Sequence, residues 1–170
     1  MTNQNVISDW FHQYSDDVYN FLIYLVGRTD VEDLVQEVFI RALKGIGSFQ
    51  GNSNPRTWLF SIARNLAIDE IRMRNRNKWK SVLSFETSHE PSTEVTPEVL
   101  LDLKEENKEL YRAIQSLKSN FRDVIILRGI KGLSVQETSE VLAWSENKTR
   151  STYHRAKIAL QKRLGGALHE

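Results

Sequence analysis

Apolar residues recur at helical spacing along most of this 170-residue chain, and no segment alternates apolar with polar residues as a half-buried strand would. Only eight Gly and three Pro interrupt that spacing. The pattern therefore predicts an all-α fold. We predict helices at about 6–26, 31–44, 56–74, 103–117, 121–127, 134–143 and 146–164.

One stretch breaks the helical pattern and divides the chain. Residues 75–99 hold both later prolines, many Ser and Thr, and little periodicity, which is typical of a linker. We therefore predict two small helical domains, 1–76 and 105–170, joined by an acidic linker over 77–104. Residues 47–56, GSFQGNSNPR, are predicted to form a loop within the first domain.

Charge is distributed in blocks although the net charge is only +1. Residues 64–80 carry six Lys/Arg against two acids, 81–110 carry eight acids against two Lys, and 145–163 carry six Lys/Arg against one acid. The basic blocks would attract a polyanion. The chain has no Cys, no secretory signal at its start and no apolar run of ~18 residues. We expect a cytoplasmic protein without a metal or another cofactor.

The last two helices are predicted to form a helix-turn-helix. Ser134 and Glu137 fit a capping box, and Ser145 suits the cap of a second, basic helix. At about 100° per residue, that helix has an apolar face and an opposite face suited to a DNA major groove. A merely solvated face is the alternative. The apolar face holds Thr149, Tyr153, Ala156, Leu160 and Leu164, and the polar face holds Asn147, Lys148, Ser151, Arg155 and Lys162, with Arg150 and His154 at its margins.

The helix predicted at 31–44 also has two distinct faces. An acidic strip that includes an apolar Ile suits a protein partner better than DNA, and an ordinary polar helix face is the alternative. Acid–base or metal chemistry is disfavoured because no His or nucleophile lies nearby. The apolar face holds Leu34, Val35, Val38, Phe39, Ala42 and Leu43, and the opposite strip holds Asp33, Gln36, Glu37 and Ile40.

The predicted loop precedes a helix that becomes increasingly basic. Small polar residues beside an aromatic rim suit the capture of an unstacked base, for which stacking contributes roughly 1–3 kcal/mol. A plain turn followed by a solvated helix end is the alternative. The loop offers Phe49, Asn52, Ser53 and Asn54, and the helix offers Arg64, Asn65, Arg72, Arg74, Arg76 and Lys78 to phosphates or bases.

Three segments together resemble the group IV, or extracytoplasmic function, sigma factors of bacteria. They are DVEDLVQEVFIRAL (30–43), SFQGNSNPRTWLFSIARNLAIDEIRMR (48–74) and GLSVQETSEVLAWSENKTRSTYHRAKIALQKRL (132–164). The resemblance covers about residues 10–75 and 105–164, and its order and spacing match that family. It implies that the first domain is sigma region 2 and the second is sigma region 4. Such a protein binds core RNA polymerase, directs it to promoters and assists promoter melting.

The resemblance also implies a partner for each candidate surface. The polymerase β′ clamp helices would contact Asp33, Gln36, Glu37, Ile40 and Arg41. The −10 element would be bound by the loop residues Phe49, Asn52 and Ser53, with Asn65 as a base reader and Arg64, Arg72 and Arg74 nearby. The −35 element would be read by Asn147, Lys148, Arg150, Ser151, His154 and Arg155. Region 4 would also rest on the β-subunit flap, and family members are commonly inhibited by an anti-sigma factor, often membrane-bound.

The chain departs from the family pattern at several positions in the second domain. Lys118 follows Leu117 where Pro is frequent, Ser139 stands where Ala is usual, and Ala143 stands where Gly is usual. The recognition helix begins Asn147-Lys148-Thr149 in place of a Gly-Thr-Val run, and Ser151-Thr152 stands where Ser-Arg is common. A helix-turn-helix repressor or activator is the second hypothesis and an enzyme the third. The acidic strip and the loop favour the first hypothesis, because a repressor needs neither.

Overall fold

The computed structural model describes residues 2–28, 30–51, 53–85 and 105–168, apart from the side chains of 81–85, 105–106 and 166–168. Within these residues the chain forms seven α-helices and no strand, which confirms the all-α prediction. A 3₁₀ turn (Ile46–Ser48) follows the second helix, and the fifth helix continues as a π-helical segment (Ile125–Ile130). The helices are α1 (Asn3–Val26), α2 (Glu32–Gly45), α3 (Pro55–Phe85), α4 (Glu105–Gln115), α5 (Ser119–Val124), α6 (Val135–Leu142) and α7 (Glu146–Leu168).

Helices α1, α2 and α3 pack against one another. The Thr2 side chain caps α1 by accepting a hydrogen bond from the Asn5 N–H at 3.2 Å. Gly27 ends α1 with φ +79°, a left-handed conformation in which Gly carries no Cβ penalty. The interior includes a stacked pair, Phe21 of α1 and Phe60 of α3, with ring centroids 4.6 Å apart and both side chains fully buried. The Phe21–Phe60 pair joins α1 and α3 in the interior of the three-helix unit.

Helix α3 runs about eleven residues beyond its predicted end at Arg74. Sequence reasoning placed a linker from residue 75 because apolar periodicity disappears there. The residues from 56 to 85 contain no Gly or Pro, however, so nothing stops the helix when its packing partners end. Trp79, on this extension, is 67% exposed. The remainder of the predicted linker, 86–104, lies outside the described residues, and the domain boundaries stay predictions.

The C-terminal helices form a second unit around Ile114, Ile126 and Leu133, all of which are buried. Helix α7 packs on α5 and on α6. The turn before α6 contains Gly132 at φ +69°, and the turn between α6 and α7 contains Ala143 at φ 58°. This order gives the predicted helix-turn-helix, with α7 in the place of the recognition helix.

The two units are packed together in one continuous buried core. The Tyr111 hydroxyl of α4 donates to the Ile23 carbonyl of α1 at 3.0 Å, and the Gln115 side-chain amide donates to the Tyr24 carbonyl. Burial raises the pKa of Tyr111, which keeps this phenol protonated as a donor. A Cβ at Gly27 would come within 3.7 Å of the Gln115 side chain. The end of α1 is therefore part of the contact between the units.

Candidate functional site

The outer face of α2 carries the acidic strip. Asp33, Gln36, Ile40 and Arg41 are exposed, and Ile40 keeps 46% of its surface accessible. Arg41 Nε lies 3.3 Å from Glu37 Oε1 in an i,i+4 pair, and both side chains are more than two-fifths exposed. Such a pair contributes only about 0.3–0.5 kcal/mol, so both groups can exchange this contact for one with a partner.

The inner face of α2 is apolar, as predicted, except near its end. Leu34, Val38 and Ala42 are buried, but Leu43 is 36% exposed. The prediction that Leu43 belongs to the buried face was therefore wrong. Leu43 lies in the last turn, where α2 leads into the 3₁₀ turn and its apolar face narrows.

The loop between α2 and α3 is held by an aromatic cluster. The ring of Phe49 lies 5.4 Å from Trp10 of α1, edge to face, and 5.0 Å from Trp58 of α3. The rings of Trp10 and Trp58 are 6.0 Å apart. Aromatic pairs at these distances contribute about 0.5–1.5 kcal/mol beyond area burial. The cluster therefore positions Phe49, and Trp10 is a supporting residue that the sequence analysis did not find.

Beyond Phe49 the loop is open to solvent. Gly51 has φ +72° and no atom within 4 Å of an added Cβ. Ser53 is half-buried, and Asn52 lies outside the described residues. Asn54 ends the loop and accepts a hydrogen bond from the Arg56 N–H at 2.9 Å, which starts α3. The loop is thus anchored at both ends, and Gln50 and Gly51 between them are exposed.

The four residues of α3 assigned to DNA occupy two kinds of environment. Asn65 and Arg72 are exposed and, seven residues apart, lie on one face of the helix. Arg64 instead pairs with Asp123 of α5, with Nη2 at 3.3 Å and Nε at 3.4 Å from Oδ2. Arg74 donates to the Val26 carbonyl at 2.9 Å, and burial lowers its pKa. DNA contact by Arg64 and Arg74 stays a prediction, since both are engaged within the protein in this conformation.

The polar face of α7 is fully presented to solvent. All six residues predicted to read DNA are exposed, whereas Thr149, Thr152 and Ala156 on the opposite face are buried. Arg155 makes only long contacts, 3.4 Å and 3.5 Å, to its own helix, so its guanidinium is available to a partner. The six residues are Asn147, Lys148, Arg150, Ser151, His154 and Arg155.

A buried hydrogen bond joins the two helices of the helix-turn-helix. The hydroxyls of Ser139 in α6 and Thr149 in α7 are 2.8 Å apart. Each hydroxyl has one hydrogen, so one of them donates to the other, and the accepting hydroxyl donates to a carbonyl of its own helix, Val135 for Ser139 or Ser145 for Thr149. Every hydroxyl in this contact is paired, which removes the cost of burying it. The pair sets the angle at which α7 leaves α6.

Polar contacts also cross between the two units. Arg56 of α3 donates to Asp17 of α1 at 2.8 Å and to the Lys131 carbonyl at 2.9 Å, and Lys131 Nζ lies 3.3 Å from Asp17. Thr57 donates to Glu137 at 2.9 Å. Burial opposes ionisation of Asp17, but the Arg56 hydrogen bond and the Lys131 charge outweigh it and lower its pKa. Sequence analysis missed these contacts because they join residues 39 to 114 positions apart.

Among the described residues there is no cluster of His, Asp and Glu suited to a metal ion. No helix in the same part of the chain combines the length and the apolar character that a membrane crossing requires.

Comparison with protein families matches both units. Residues 10–77 match the family described as Sigma-70 region 2, and residues 107–160 match Sigma-70, region 4.

Curated relatives match along most of their length. The chain is 38% identical over 162 residues to the ECF RNA polymerase sigma factor SigX of Bacillus subtilis (strain 168), covering 94% of this chain and 82% of that protein. It is 32% identical to the RNA polymerase sigma factor YlaC of the same strain, covering 96% and 95%. It is 30% identical to the ECF RNA polymerase sigma-E factor of Escherichia coli (strain K12), covering 89% and 83%.

Solved structures show the same architecture. The sigma factor RpoE, in complex with the anti-sigma factor NepR from Bartonella quintana, superposes with a TM-score of 0.72 at 25% identity, covering 93% of this chain and 96% of that one. The fold of CnrH, solved in complex with the cytosolic domain of CnrY, matches with a TM-score of 0.67 at 22% identity, covering 96% and 90%.

Proposed function

Because this chain belongs to the extracytoplasmic function group of the sigma-70 family, we propose that three of its surfaces divide the work of transcription initiation. The family makes the chain a promoter-specific initiation factor. The assignment of surfaces rests on one observation: an accessible acidic strip with an exposed Ile on α2 and an accessible basic recognition helix occur in the same chain.

The outer face of α2 is proposed to bind the β′ clamp helices of core RNA polymerase. Asp33, Gln36, Glu37 and Arg41 supply charged and polar contacts, and Ile40 supplies an apolar one. Interfaces of this kind combine an apolar anchor with a polar rim, and the weak Glu37–Arg41 pair is easily exchanged for contacts with the clamp.

The loop between α2 and α3 is proposed to capture an unstacked base of the −10 element. Phe49 is held in place by Trp10 and Trp58. Asn52 and Ser53 follow it in the sequence and are proposed to contact the base. Asn65 and Arg72 extend the same surface along α3. Arg64 and Arg74 join it only when their internal contacts are released.

The exposed face of α7 is proposed to enter the major groove at the −35 element. Arg, Asn and Ser can read base edges there, and Lys and His can contact phosphates. The buried Ser139–Thr149 bond orients this helix for docking. The domain boundaries at 76 and 105, and a linker between them that passes through the polymerase, belong to the same proposal.

The chain is proposed to work in the cytoplasm, where polymerase and promoter meet, and to perform no covalent chemistry. The relatives RpoE and CnrH have been solved with NepR, an anti-sigma factor, and with the cytosolic domain of CnrY. We propose that an anti-sigma factor, in many family members membrane-bound, also controls this chain. Region 4 is further proposed to rest on the β-subunit flap.

Glu37→Lys tests the α2 surface. The exchange should weaken binding to core RNA polymerase by roughly tenfold or more, because it places a cation in an acidic contact surface. The free energy of unfolding, measured with urea, should change by less than about 0.5 kcal/mol, since the Glu37 side chain is 41% exposed and makes one surface pair.

Glu140→Lys is the matched control, because Glu140 is an exposed residue of α6 and the change in charge is the same. Binding is measured by titrating labelled protein with core polymerase in the absence of DNA. Equal affinity of Glu37→Lys and the control would remove α2 from the polymerase contact.

A further inference from the structure

We propose that the C-terminal part of α3 forms a further DNA contact outside the −10 and −35 elements, in which Arg76 and Trp79 bind the sugar–phosphate backbone of duplex promoter DNA. The inference rests on the proposed function, because this contact continues the DNA-binding surface that begins at the loop before α3.

One row of exposed side chains runs along the outer face of α3. Its members are spaced alternately four and three residues apart, so at about 100° per residue they follow one side of the helix. The row begins at the candidate base reader Asn65 and ends on the extension of α3 beyond Arg74. It consists of Asn65, Asp69, Arg72, Arg76 and Trp79, all of which are exposed.

Trp79 is the strongest sign that this face has a partner. Among the described residues it is the most exposed of the large hydrophobic side chains, at 67%. Exposed Lys80 follows it, and Arg76 lies one turn before it. The core of a protein–protein interface is poor in Lys, whereas a polyanion suits both cations and the indole N–H, which can only donate. The charge of residues 64–80, six Lys/Arg against two acids, favours DNA in the same way.

An open groove of about 470 Å³ lies along the middle of the row. It is lined by Asp69, Arg72, Asn75 and Arg76. The two guanidinium groups suit phosphate oxygens, whereas the carboxylate of Asp69 would repel them. The phosphate contacts are therefore expected in the C-terminal half of the row, apart from the base reader Asn65.

The length of the row determines where this contact falls on the promoter. Trp79 lies fourteen residues after Asn65, which at about 1.5 Å per residue is roughly 21 Å along α3. At about 3.4 Å per base pair, this distance corresponds to roughly six base pairs. The loop proposed to capture an unstacked base lies at the opposite end of α3, so the DNA beside Trp79 is expected to be duplex. We expect it to lie between the two elements, because region 4, which follows α3 in the chain, is proposed to read the −35 element.

Methylphosphonate substitution, which removes the charge of one phosphate at a time, can locate the contact. The protein is holoenzyme assembled from core polymerase and the full chain, and the DNA is a promoter fragment found by run-off transcription. With the native chain, affinity should fall roughly fivefold when the substituted phosphate lies about six base pairs from the base read by Asn65. Substitutions elsewhere between the elements should have little effect.

Two variants connect that phosphate to the row. Arg76→Ala and Trp79→Ala should each bind the unmodified fragment roughly fivefold more weakly, and neither should respond further to the methylphosphonate, because protein change and DNA change remove the same contact. Arg76→Ala should also reduce the log–log salt slope by about 0.9.

The matched controls are exposed residues outside the row. Asn77→Ala changes a side chain on the opposite side of α3 from Trp79, and Arg112→Ala removes a cation of α4. Both should bind the fragment as the native chain does and keep its response to the methylphosphonate.

Equal affinity of all these holoenzymes for the unmodified fragment would overturn the contact and leave the proposed function intact. Weaker binding of Trp79→Ala to core polymerase without DNA would assign the indole to a protein surface and would also overturn it. A loss seen only with DNA that is unpaired at this position would replace the duplex contact with base stacking. If native holoenzyme bound no fragment specifically, the proposed function and this contact would fail together.

Discussion

Ala143 adopts a backbone conformation that suits Gly better than Ala. With φ 58° and ψ 42°, it ends α6 in the left-handed region, and it is the one non-Gly residue at positive φ among those described. For an L-residue with a Cβ this conformation costs roughly 1–2 kcal/mol. Sequence analysis noted that related chains usually have Gly here, and the structure gives the physical reason.

Ala143→Gly should therefore raise the free energy of unfolding by about 1 kcal/mol, measured by urea denaturation. Ala159→Gly is the control, because Ala159 lies in the interior of α7, where Gly costs about 1 kcal/mol. The two exchanges should have opposite signs. A loss of stability in Ala143→Gly would contradict the strain argument.

Ser139 shows how a departure from the family pattern is accommodated. Its hydroxyl is buried but bonds to Thr149 and to the Val135 carbonyl, so both residues fit where apolar side chains would otherwise be expected. This pairing could not be predicted, because helical periodicity indicates which face of a helix is buried but not which residue of the next helix it contacts.

Arg155 is the residue of α7 best placed to separate DNA reading from polymerase binding. Arg155→Ala should lower transcription from a promoter that depends on its −35 element by roughly tenfold, as expected for one lost bidentate contact. Lys157→Ala removes one exposed cation outside the predicted reading face and serves as the control. Affinity for core polymerase should stay unchanged, and an equal loss of that affinity would show that α7 has been assigned to the wrong partner.

At the scale of the helix, the start of α6 is specified by the capping box formed by Ser134 and Glu137. Ser134 Oγ accepts from the Glu137 N–H at 3.0 Å, and Glu137 Oε1 accepts from the Ser134 N–H at 3.0 Å, as the sequence predicted. What the sequence did not predict is that the second carboxylate oxygen accepts from Thr57 of α3. One local motif therefore both caps a helix and joins the two units.

The Glu137 carboxylate makes this cap sensitive to pH. The hydrogen bond from the Ser134 backbone, with further help from Thr57, lowers its pKa below the ordinary value of 4.5 despite some burial. Its contribution is therefore complete above pH 4.5 and is lost as the pH falls through the lowered pKa.

At neutral pH, the Glu137→Gln variant should have a free energy of unfolding roughly 0.5–1 kcal/mol lower than that of the native protein. That difference should shrink as the pH falls below 4.5. Glu140→Gln, on the same helix but exposed, should show little difference at any pH. Urea denaturation at several pH values measures the stability of the native protein and of both variants. If the difference between native protein and Glu137→Gln did not depend on pH, the cap would not involve an ionised Glu137 carboxylate.

Periodicity located most helices within a few residues and gave the buried faces of α2 and α7 correctly, because both depend on local spacing. It failed at the end of α3, where the helix continues past its packing partners, and at Leu43, where the partners end before the apolar pattern does. The two errors have different causes. Helix α3 continues because no Gly or Pro stops it, whereas at Leu43 the sequence specifies a face and the neighbouring helices decide how much of it is covered.

For the whole molecule, the sequence indicated two units but not their contact. Arg64 and Arg74 were assigned to DNA because they are basic residues on a basic helix, yet Arg64 pairs with Asp123 of the second unit and Arg74 with the Val26 carbonyl of its own unit. Such partners lie 48 to 59 positions away and leave no periodic signal. The exposed surfaces of α2 and α7 were predictable, whereas the packing of the two units against each other required the structure.

The distribution of charge along the chain affects how strongly the protein binds promoter DNA. Two basic blocks flank an acidic one, and their near cancellation predicts weak binding of promoter DNA by the free chain. Each phosphate neutralised in the assembled complex should contribute about −0.9 to the log–log dependence of affinity on salt. Strong promoter binding is therefore expected only with polymerase.

The central claim, that this chain directs RNA polymerase to promoters, is tested most directly by run-off transcription from random genomic fragments with bacterial core polymerase. We predict transcripts with defined 5′ ends that appear only when the chain is added, and that share −10 and −35 elements upstream. Absence of specific transcripts, together with tight binding of the free chain to two-fold symmetric duplex sites, would contradict the account and indicate a helix-turn-helix repressor.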